Sequence, residues 1–371
     1  MNSRACMNCH PFRHSRGNRG LHARRSQGGA ALVVALLIFA LCTALIVAMK
    51  GEFELYYQRG ANVIISEQVY AYLRGAEALA SLALVQDYDS DQEREVPRDD
   101  LTEVWAQDPD TVVPYDLDEG GWLRGGLSDL QGRFNLNALV DKAAAGEGGR
   151  HTPAQKQFIR LLLALEGVEL SEPDAILVTE SIGDWLDPDS EPRLNGAEDD
   201  YYLSQTPAYR AANGPMVSVT ELRAVAYVTP QLYDALRPWI AALPDPASPL
   251  NILTAPPMVL RTINADNTLQ PLSEADGLAL AEARANEGFA DVAEFLQHPV
   301  LEGKTLLEIT PRLGLASSWF LLSAEAKVAD RKLRLYSVLE RRGREILAVV
   351  RTSEGLCPTE QIEGKFCKTA P

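Results

Sequence analysis

The stretch RRSQGGAALVVALLIFALCTALIVAMK, residues 24–50, decides how the rest of the chain is organised. Ala30 to Met49 is a run of 20 residues without a charge. As an α-helix such a run spans ~30 Å, one hydrocarbon core. Six arginines (Arg4, Arg13, Arg16, Arg19, Arg24 and Arg25) and no acid precede it. That asymmetry places the N-terminus in the cytoplasm and the body outside. A cleaved secretory signal would show a shorter apolar core and a small-residue cleavage site. The far end of this run offers only Ala48-Met49-Lys50-Gly51. Taken alone, the run is a plain transmembrane anchor.

The pattern beyond the run suggests more. Ile65, Val69, Tyr72, Ala76, Leu79 and Ala83 recur at steps of four and three, with Glu67, Gln68, Arg74 and Glu77 between them. This spacing predicts that the helix continues, amphipathic in its second half, with one stripe against a globular head.

Composition describes that head. The chain of 371 residues is long enough for two or three domains. Of its 35 lysines and arginines six lie in the leader, so 29 face 51 acids in the remainder, a net of −22. A body this acidic repels phosphates, which argues against nucleic acid as a partner. Cys6 and Cys9 form a lone CxxC without a second pair, weak evidence for zinc. Cys357 and Cys367 could close a short loop as a disulfide if the body reaches an oxidising compartment; two free thiols in a frayed tail are the alternative.

Along the body, an acidic linker (residues 87–100) precedes GWLRGGLSDLQGRFNLNAL, residues 121–139. Its alternation predicts a hairpin turning near Asp129 to Gly132. From Thr152 the pattern becomes helical. Thr152 reads as an N-cap with Pro153 in the first turn and Gly167 as a stop. SEPDAILVTESIGDWLD (residues 171–187) is a second helix, residues 219–243 give two short helices about Val228-Thr229-Pro230, and residues 272–297 repeat that theme. Strand-like runs follow at 318–329, 332–342 and 345–354, with turns at Ala329-Asp330-Arg331 and Arg342-Gly343-Arg344. Trp122, Trp185, Trp239 and Trp319 read as packing residues.

One segment carries chemistry. GDWLDPDSEPRLNGAEDDYY, residues 183–202, holds Asp184, Asp187, Asp189, Glu191, Glu198, Asp199 and Asp200. Clustered carboxylates without histidine or cysteine suit calcium, and zinc is disfavoured because the body has only His151 and His298. Counting Asp187 as one, the ligand positions of an EF-hand fall on Asp189, Glu191, Arg193, Asn195 and Glu198. The sixth position, which needs glycine with positive φ, is Pro192, so the loop is not an EF-hand. A solvated acidic surface loop has the same composition. No phosphate loop, GxSxG motif or catalytic triad is present.

Gln27-Gly28-Gly29 followed by Ala30-Ala31-Leu32-Val33-Val34 resembles a prepilin-type leader. The resemblance implies cleavage between Gly29 and Ala30 by a prepilin peptidase. Most pilins carry glutamate five residues after the cut, where this chain has Val34. Its absence, the phrase Asp129-Leu130-Gln131-Gly132-Arg133-Phe134-Asn135-Leu136-Asn137, and Gly183-Asp184-Trp185, Asp187 and Gly196-Ala197-Glu198-Asp199 together resemble the K-type minor pseudopilins of type II secretion systems. The resemblance implies an α+β fold: a pilin-like long helix (residues 30–95) packed on an antiparallel sheet. The head would comprise residues 96–140 and 311–371. Two small SAM-like or helix-hairpin-helix-like domains, 141–245 and 246–310, would be inserted into it. It implies calcium in the head, with Asp187, Asp189, Glu198, Asp199 and Asp200 as candidate ligands. It implies partners among the I- and J-type minor pseudopilins, met through the long helices. It places the chain in the inner membrane, single-pass, with the body periplasmic. The expected role is a structural cap that initiates a secretion pseudopilus, since the helical insertion is too wide for a filament shaft. A membrane-anchored, metal-dependent periplasmic enzyme is the alternative, and a DNA-uptake component would need a basic patch that the acidic body opposes.

Overall fold

The computed structural model describes residues 28–353 apart from 95, 109–110, 112, 118–119, 143–149 and 287. Cys357 and Cys367 lie outside the described residues, as does the leader before Gly28. The chain forms two units, one ending at Ala61 and one beginning at Asn62. The first consists of the start of α1, a helix over Gly28–Asp91. Its residues from Leu32 to Met49 are exposed all round, and this part of α1 is long and apolar enough to cross a membrane.

The second unit opens with the amphipathic part of α1. Ile65, Val69, Tyr72 and Ala76 face the head as their spacing predicts. The stripe then shifts. Leu73, Ala80 and Leu84 are buried, whereas Leu79 is 65% exposed. Spacings of three and four drift around a helix of 3.6 residues per turn. The row that stays over the sheet runs through Ala76, Ala80 and Leu84, whose small alanines let the backbone approach closely.

After α1 come β1 (Tyr115–Leu117), β2 (Gly121–Asp129) and β3 (Phe134–Asn135). The helices α2 (Pro153–Ala164), α3 (Glu172–Leu186), α4 (Asp199–Leu203) and α5 (Pro230–Leu236) follow. Short strands β4 (Ile240–Ala241) and β5 (Leu250–Asn251) lead to α6 (Pro257–Leu260), α7 (Glu274–Asn286) and α8 (Val292–Leu296). The chain returns through β6 (Leu313–Gly314) to β7 (Trp319–Val328), β8 (Arg331–Arg342) and β9 (Glu345–Thr352).

Local chemistry explains the helix starts. Thr152 and Gln155 form a reciprocal capping box before α2, and Ser171 and Asp174 form another before α3. Thr229 caps α5, with Pro230 at its first position. The 272–297 stretch divides into α7 and α8, and Gly288, at φ 71°, lies between them.

The main sheet has the order β1-β2-β7-β8-β9, and every pair is antiparallel. The three last strands form the expected meander, with Ala329 (φ 53°) and Gly343 (φ 63°) at its turns. β2 joins β7 across the whole helical region, with Trp122 opposite Lys327 and Asp129 opposite Phe320. The hairpin expected at Asp129–Gly132 is not formed. β2 turns instead at its other end, onto β1, and β3 leaves the sheet to pair in parallel with β4. The Gln131 backbone N–H donates to Asp129 Oδ1 at 2.7 Å, Leu130 N–H donates to Trp319 O at 2.9 Å, and Ser317, Thr254 and Asn251, all distant in the chain, donate to Asp129 Oδ2. The strand therefore ends at Asp129 and cannot fold back on itself.

Alternate residues of β7 serve two cores. Phe320, Leu322, Ala324, Ala326 and Val328 pack with the α1 row. Trp319 and Leu321 face the other way, against Leu130, Leu243, Tyr336 and Val338. The helical region has two cores of its own, one from Phe134 to Ile240 and one from Leu250 to Leu315. Arg160 of α2 ties them, donating to the carbonyls of Thr262 (3.0 Å), Ala265 (2.7 Å) and Thr268 (3.1 Å).

A polar clamp fixes α1 on the sheet. Glu77 accepts from Arg351 Nε at 2.7 Å and Nη2 at 2.9 Å, and from Ser337 Oγ at 2.8 Å. Burial pushes its carboxyl up, but these donors outweigh burial and hold it below the usual range. A lowered carboxyl contributes stability above its unfolded pKa and loses it as pH falls through the folded one. Glu77→Gln is expected to cost about 2 kcal/mol at pH 7. The difference from wild type should shrink as pH falls below the ordinary glutamate value of about 4.3, which urea melts on either side of it would read.

Candidate functional site

The acidic segment lies where α3 ends and α4 begins. Asp187 follows the last turn of α3 as its C-cap, and Glu198 precedes α4 as its N-cap. The intervening loop folds back over α3. Arg193 N–H donates to both oxygens of Asp184 at 3.2 and 3.1 Å, and Asn195 N–H donates to Glu180 Oε2 at 2.7 Å. Two glycines permit this approach. A Cβ at Gly183 would lie 1.4 Å from Arg193 Nη1, and one at Gly196 would lie 1.8 Å from Asp184 Oδ2. Arg193 O accepts from Gly196 N–H, closing a turn, and is not offered as a ligand in EF-hand fashion.

This arrangement brings Asp187, Asp189 and Glu198 together. One carboxylate oxygen of each lies within 4.8 Å of the other two. Asp187 and Glu198 are buried, and Asp189 is exposed. Both oxygens of Glu198 are buried without a hydrogen-bond partner. Those of Asp187 also lack hydrogen bonds, although Arg193 Nη2 at 3.2 Å and Lys142 Nζ at 3.5 Å sit at ion-pair distance from Oδ2. Lys142 Nζ is closer to Asp189, at 2.6 Å. Two cations therefore face three clustered carboxylates and the adjacent Asp184. Burial, then the charges of Asp184 and Asp187, push Glu198 up to about 7. Burial pushes Asp184 up to about 6 and raises Asp187. A buried carboxylate without donors is costly. A hard cation supplies what these oxygens lack, and Asp187, Asp189 and Glu198 could hold one.

Asp199 and Asp200 stand apart from this trio. Asp199 accepts from Arg210 Nη1 at 3.0 Å and from Ala211 N–H at 3.1 Å, and Asp200 is exposed on α4. Gly29 and Ala30 lie exposed at the start of α1. Sequence reasoning missed Lys142 and the Arg193 side chain as members of the site. Lys142 lies 45 positions before Asp187 in the chain and reaches the cluster only through the fold.

A second acidic trio, Asp87, Asp99 and Glu103, also brings carboxylate oxygens within 4.8 Å. It differs in that each of its carboxylates accepts a hydrogen bond. Arg341 binds Asp87 at 2.8 Å and Asp99 at 2.5 Å, and Arg94 binds Glu103 at 3.0 Å. Its place is structural. Asp99 N–H and O, Ser317, Asn251 and Asp129 continue the network to the ends of β2 and β7. The phrase around Asp129, without a function in the sequence, is thus the junction of sheet and helical region.

The family models described as type II secretion system (T2SS), protein K match residues 132–245 and 250–315. The type II secretion system protein K of Pseudomonas aeruginosa is 34% identical over 323 residues, covering 86% of this chain and 90% of that protein. The protein of that name from Klebsiella pneumoniae is 33% identical over 331 residues, covering 88% and 96%. The crystal structure of the GspK-GspI-GspJ complex from the enterotoxigenic Escherichia coli type 2 secretion system aligns with a TM-score of 0.68 at 26% identity. That alignment covers 80% of this chain and 99% of the matched one.

With every divalent ion chelated, the raised carboxyl of Glu198 has a defined sign. Its proton is held more tightly in the folded chain, so its cost grows as pH rises from the ordinary carboxylate range through about 7. Glu198→Gln is expected to melt above wild type at pH 8 in chelator, by about 1–2 kcal/mol. The two should converge at about pH 4, below the ordinary carboxylate value. Calorimetry at the two pH values checks both the sign and the convergence.

Proposed function

The chain belongs to the type II secretion system protein K family, pseudopilus components with a structural role, and on that premise we propose that it caps the tip of a secretion pseudopilus and helps to initiate its assembly. The observation that carries this reading is α1. Its first part is apolar on all sides. Its second part buries one row on the sheet and leaves Val63, Ile64, Tyr70, Leu79 and Leu82 exposed on the other. Such a helix can leave the bilayer and pack beside other helices of its kind. The I- and J-type minor pseudopilins, the partners in the matched complex, are the neighbours we assign to it. The chain then sits in the inner membrane as a single-pass protein with its body in the periplasm, after removal of the leader by a prepilin peptidase.

Two features support the tip. Val34 stands where a carboxylate would meet the amine of the subunit ahead. A buried carboxylate in lipid persists only with a function, and a leading subunit has nothing ahead of it. The helical region, residues 130–318 between β2 and β7, adds bulk on the head that neighbours in a shaft would have to accommodate. The role is structural rather than catalytic.

We further propose calcium as the cation at Asp187, Asp189 and Glu198. The donors are all hard oxygens, and the buried oxygens of Glu198 have no other partner. Bound there, calcium would compensate the buried charge and join the end of α3 to the start of α4.

Intact mass of membrane-extracted protein should show a chain beginning at Ala30 only when prepilin peptidase is co-expressed. Gold labels on the head should then mark one end of isolated pseudopili; labels along the shaft would refute the tip role. Calcium should raise the melting temperature of wild type by several degrees, about 1–3 kcal/mol in stability. It should leave Glu198→Gln nearly unchanged, as thermal melts with and without chelator would show.

A further inference from the structure

A cavity of about 190 Å³ opens between β2, the segment before β1 and the helices of the second helical core. Its walls are largely apolar: Leu101, Trp105, Leu127, Pro238 and Pro257. One side chain is out of keeping with them. Arg133 lines the cavity, is 7% exposed, and makes no side-chain hydrogen bond, ion pair or ring contact among the described residues. Three other deeply placed arginines are partnered. Arg160 binds three carbonyls, Arg284 donates to Ala255 O, and Arg341 binds Asp87 and Asp99. A buried guanidinium without an anion is costly and persists where something offsets it.

The carboxylate of Asp129 offsets it only in part, through its charge and without an ion pair or hydrogen bond. Asp129 also lines the cavity, yet its oxygens already accept from Ser317, Thr254, Asn251 and Gln131. Arg133 cannot be rearranged cheaply, because a Cβ on Gly132 would lie 2.7 Å from Thr254 Oγ1 and so this stretch of backbone is tightly seated. Arg133 also borders a narrow cleft shared with Arg312, a second cation, whose Nε is buried without a partner. The local charge is thus positive within an acidic protein. The space exceeds that of a bare ion, since one water occupies about 30 Å³ in the liquid.

We propose that this cavity binds a carboxylate carried on an apolar body, with the carboxylate on Arg133 and the body against Trp105, Leu127 and Pro257. That chemistry is found at the C-terminus of a polypeptide ending in an apolar residue and in a free small acid. The site is separate from the acidic trio and from the outer row of α1, so it stands whether or not the pseudopilus role holds.

The test uses the full chain in detergent, with 3-phenylpropanoate and a tetrapeptide ending in phenylalanine as probes, and the amide of each as control. The acids should raise the melting temperature saturably, by roughly 5 °C or more at a hundredfold excess over Kd, and the amides should not. Arg133→Met should melt no lower than wild type without ligand and should lose the response. Arg133→Lys should keep a weaker one, which preserves the test if the methionine variant does not fold. A stronger response to the peptide would identify a chain terminus as the ligand, and a stronger response to the small acid would identify a metabolite-sized one. The proposal is overturned if neither acid acts, if amides act equally, if inorganic phosphate acts as well as the acids, or if Arg133→Met responds like wild type.

Discussion

The fold depends on a buried polar knot where β2 stops and β7 starts. Adjacent strands of one sheet are separated in sequence by the entire helical region, so their ends must be pinned before the insertion can stand in a fixed place. Asp129 does this at the end of β2, accepting from Ser317 Oγ at 2.6 Å, Thr254 Oγ1 at 2.5 Å and Asn251 Nδ2 at 3.1 Å. Asn251 passes the connection to Asp99 O, and Asp99 binds Ser317 N–H at 2.6 Å and Arg341. Arg341 reaches Asp87 near the end of α1. Long helix, linker, the second helical core and the sheet thus share one network. Burial raises the carboxyls of Asp129 and Asp99 despite their donors, so each bond in the knot matters to its neighbours.

Against that background, two places in the head stand out because they are not satisfied. Elsewhere, buried charge meets an opposite charge or a carbonyl: Glu325 takes Arg124, Lys332 and Arg334, and Arg160 takes three carbonyls. Among the described residues, the oxygens of Glu198 at the start of α4 have no donor, and the side chain of Arg133 before β3, 7% exposed, makes no hydrogen bond and has only the charge of Asp129 acting on it. One lacks a cation and the other an anion. Both sit on segments held rigid by close glycine contacts, at Gly196 and Gly132 respectively.

The long helix answers to two solvents in turn. Its first part has no polar face, as a helix that crosses hydrocarbon requires. Its second part keeps an inner row of Val69, Leu73, Ala76, Ala80 and Leu84 for the sheet and clamps it with Glu77. Its outer face mixes Glu67 and Arg74 with exposed Val63, Ile64, Tyr70, Leu79 and Leu82.

Much of this was written in the sequence. The uncharged run, the meander and its turns, the capped starts of α2, α3 and α5, and the acidic segment all follow from short-range rules: hydrophobic period, cap chemistry and turn residues. The prepilin-like leader and the K-type phrases were enough to identify the family. What the sequence could not decide was everything set by contacts distant in the chain. Leu79 matched the helical period as well as Ala80 did, and only the sheet beneath chose between them. The phrase at Asp129 alternated like a hairpin, and only the donors of Ser317, Thr254 and Asn251 turned it into the end of a strand. Of five acidic candidates in the loop, tertiary folding brought Asp187, Asp189 and Glu198 together and turned Asp199 toward Arg210. Spacing along a chain constrains the faces of one element; which charges are left without partners is decided only when separate elements meet.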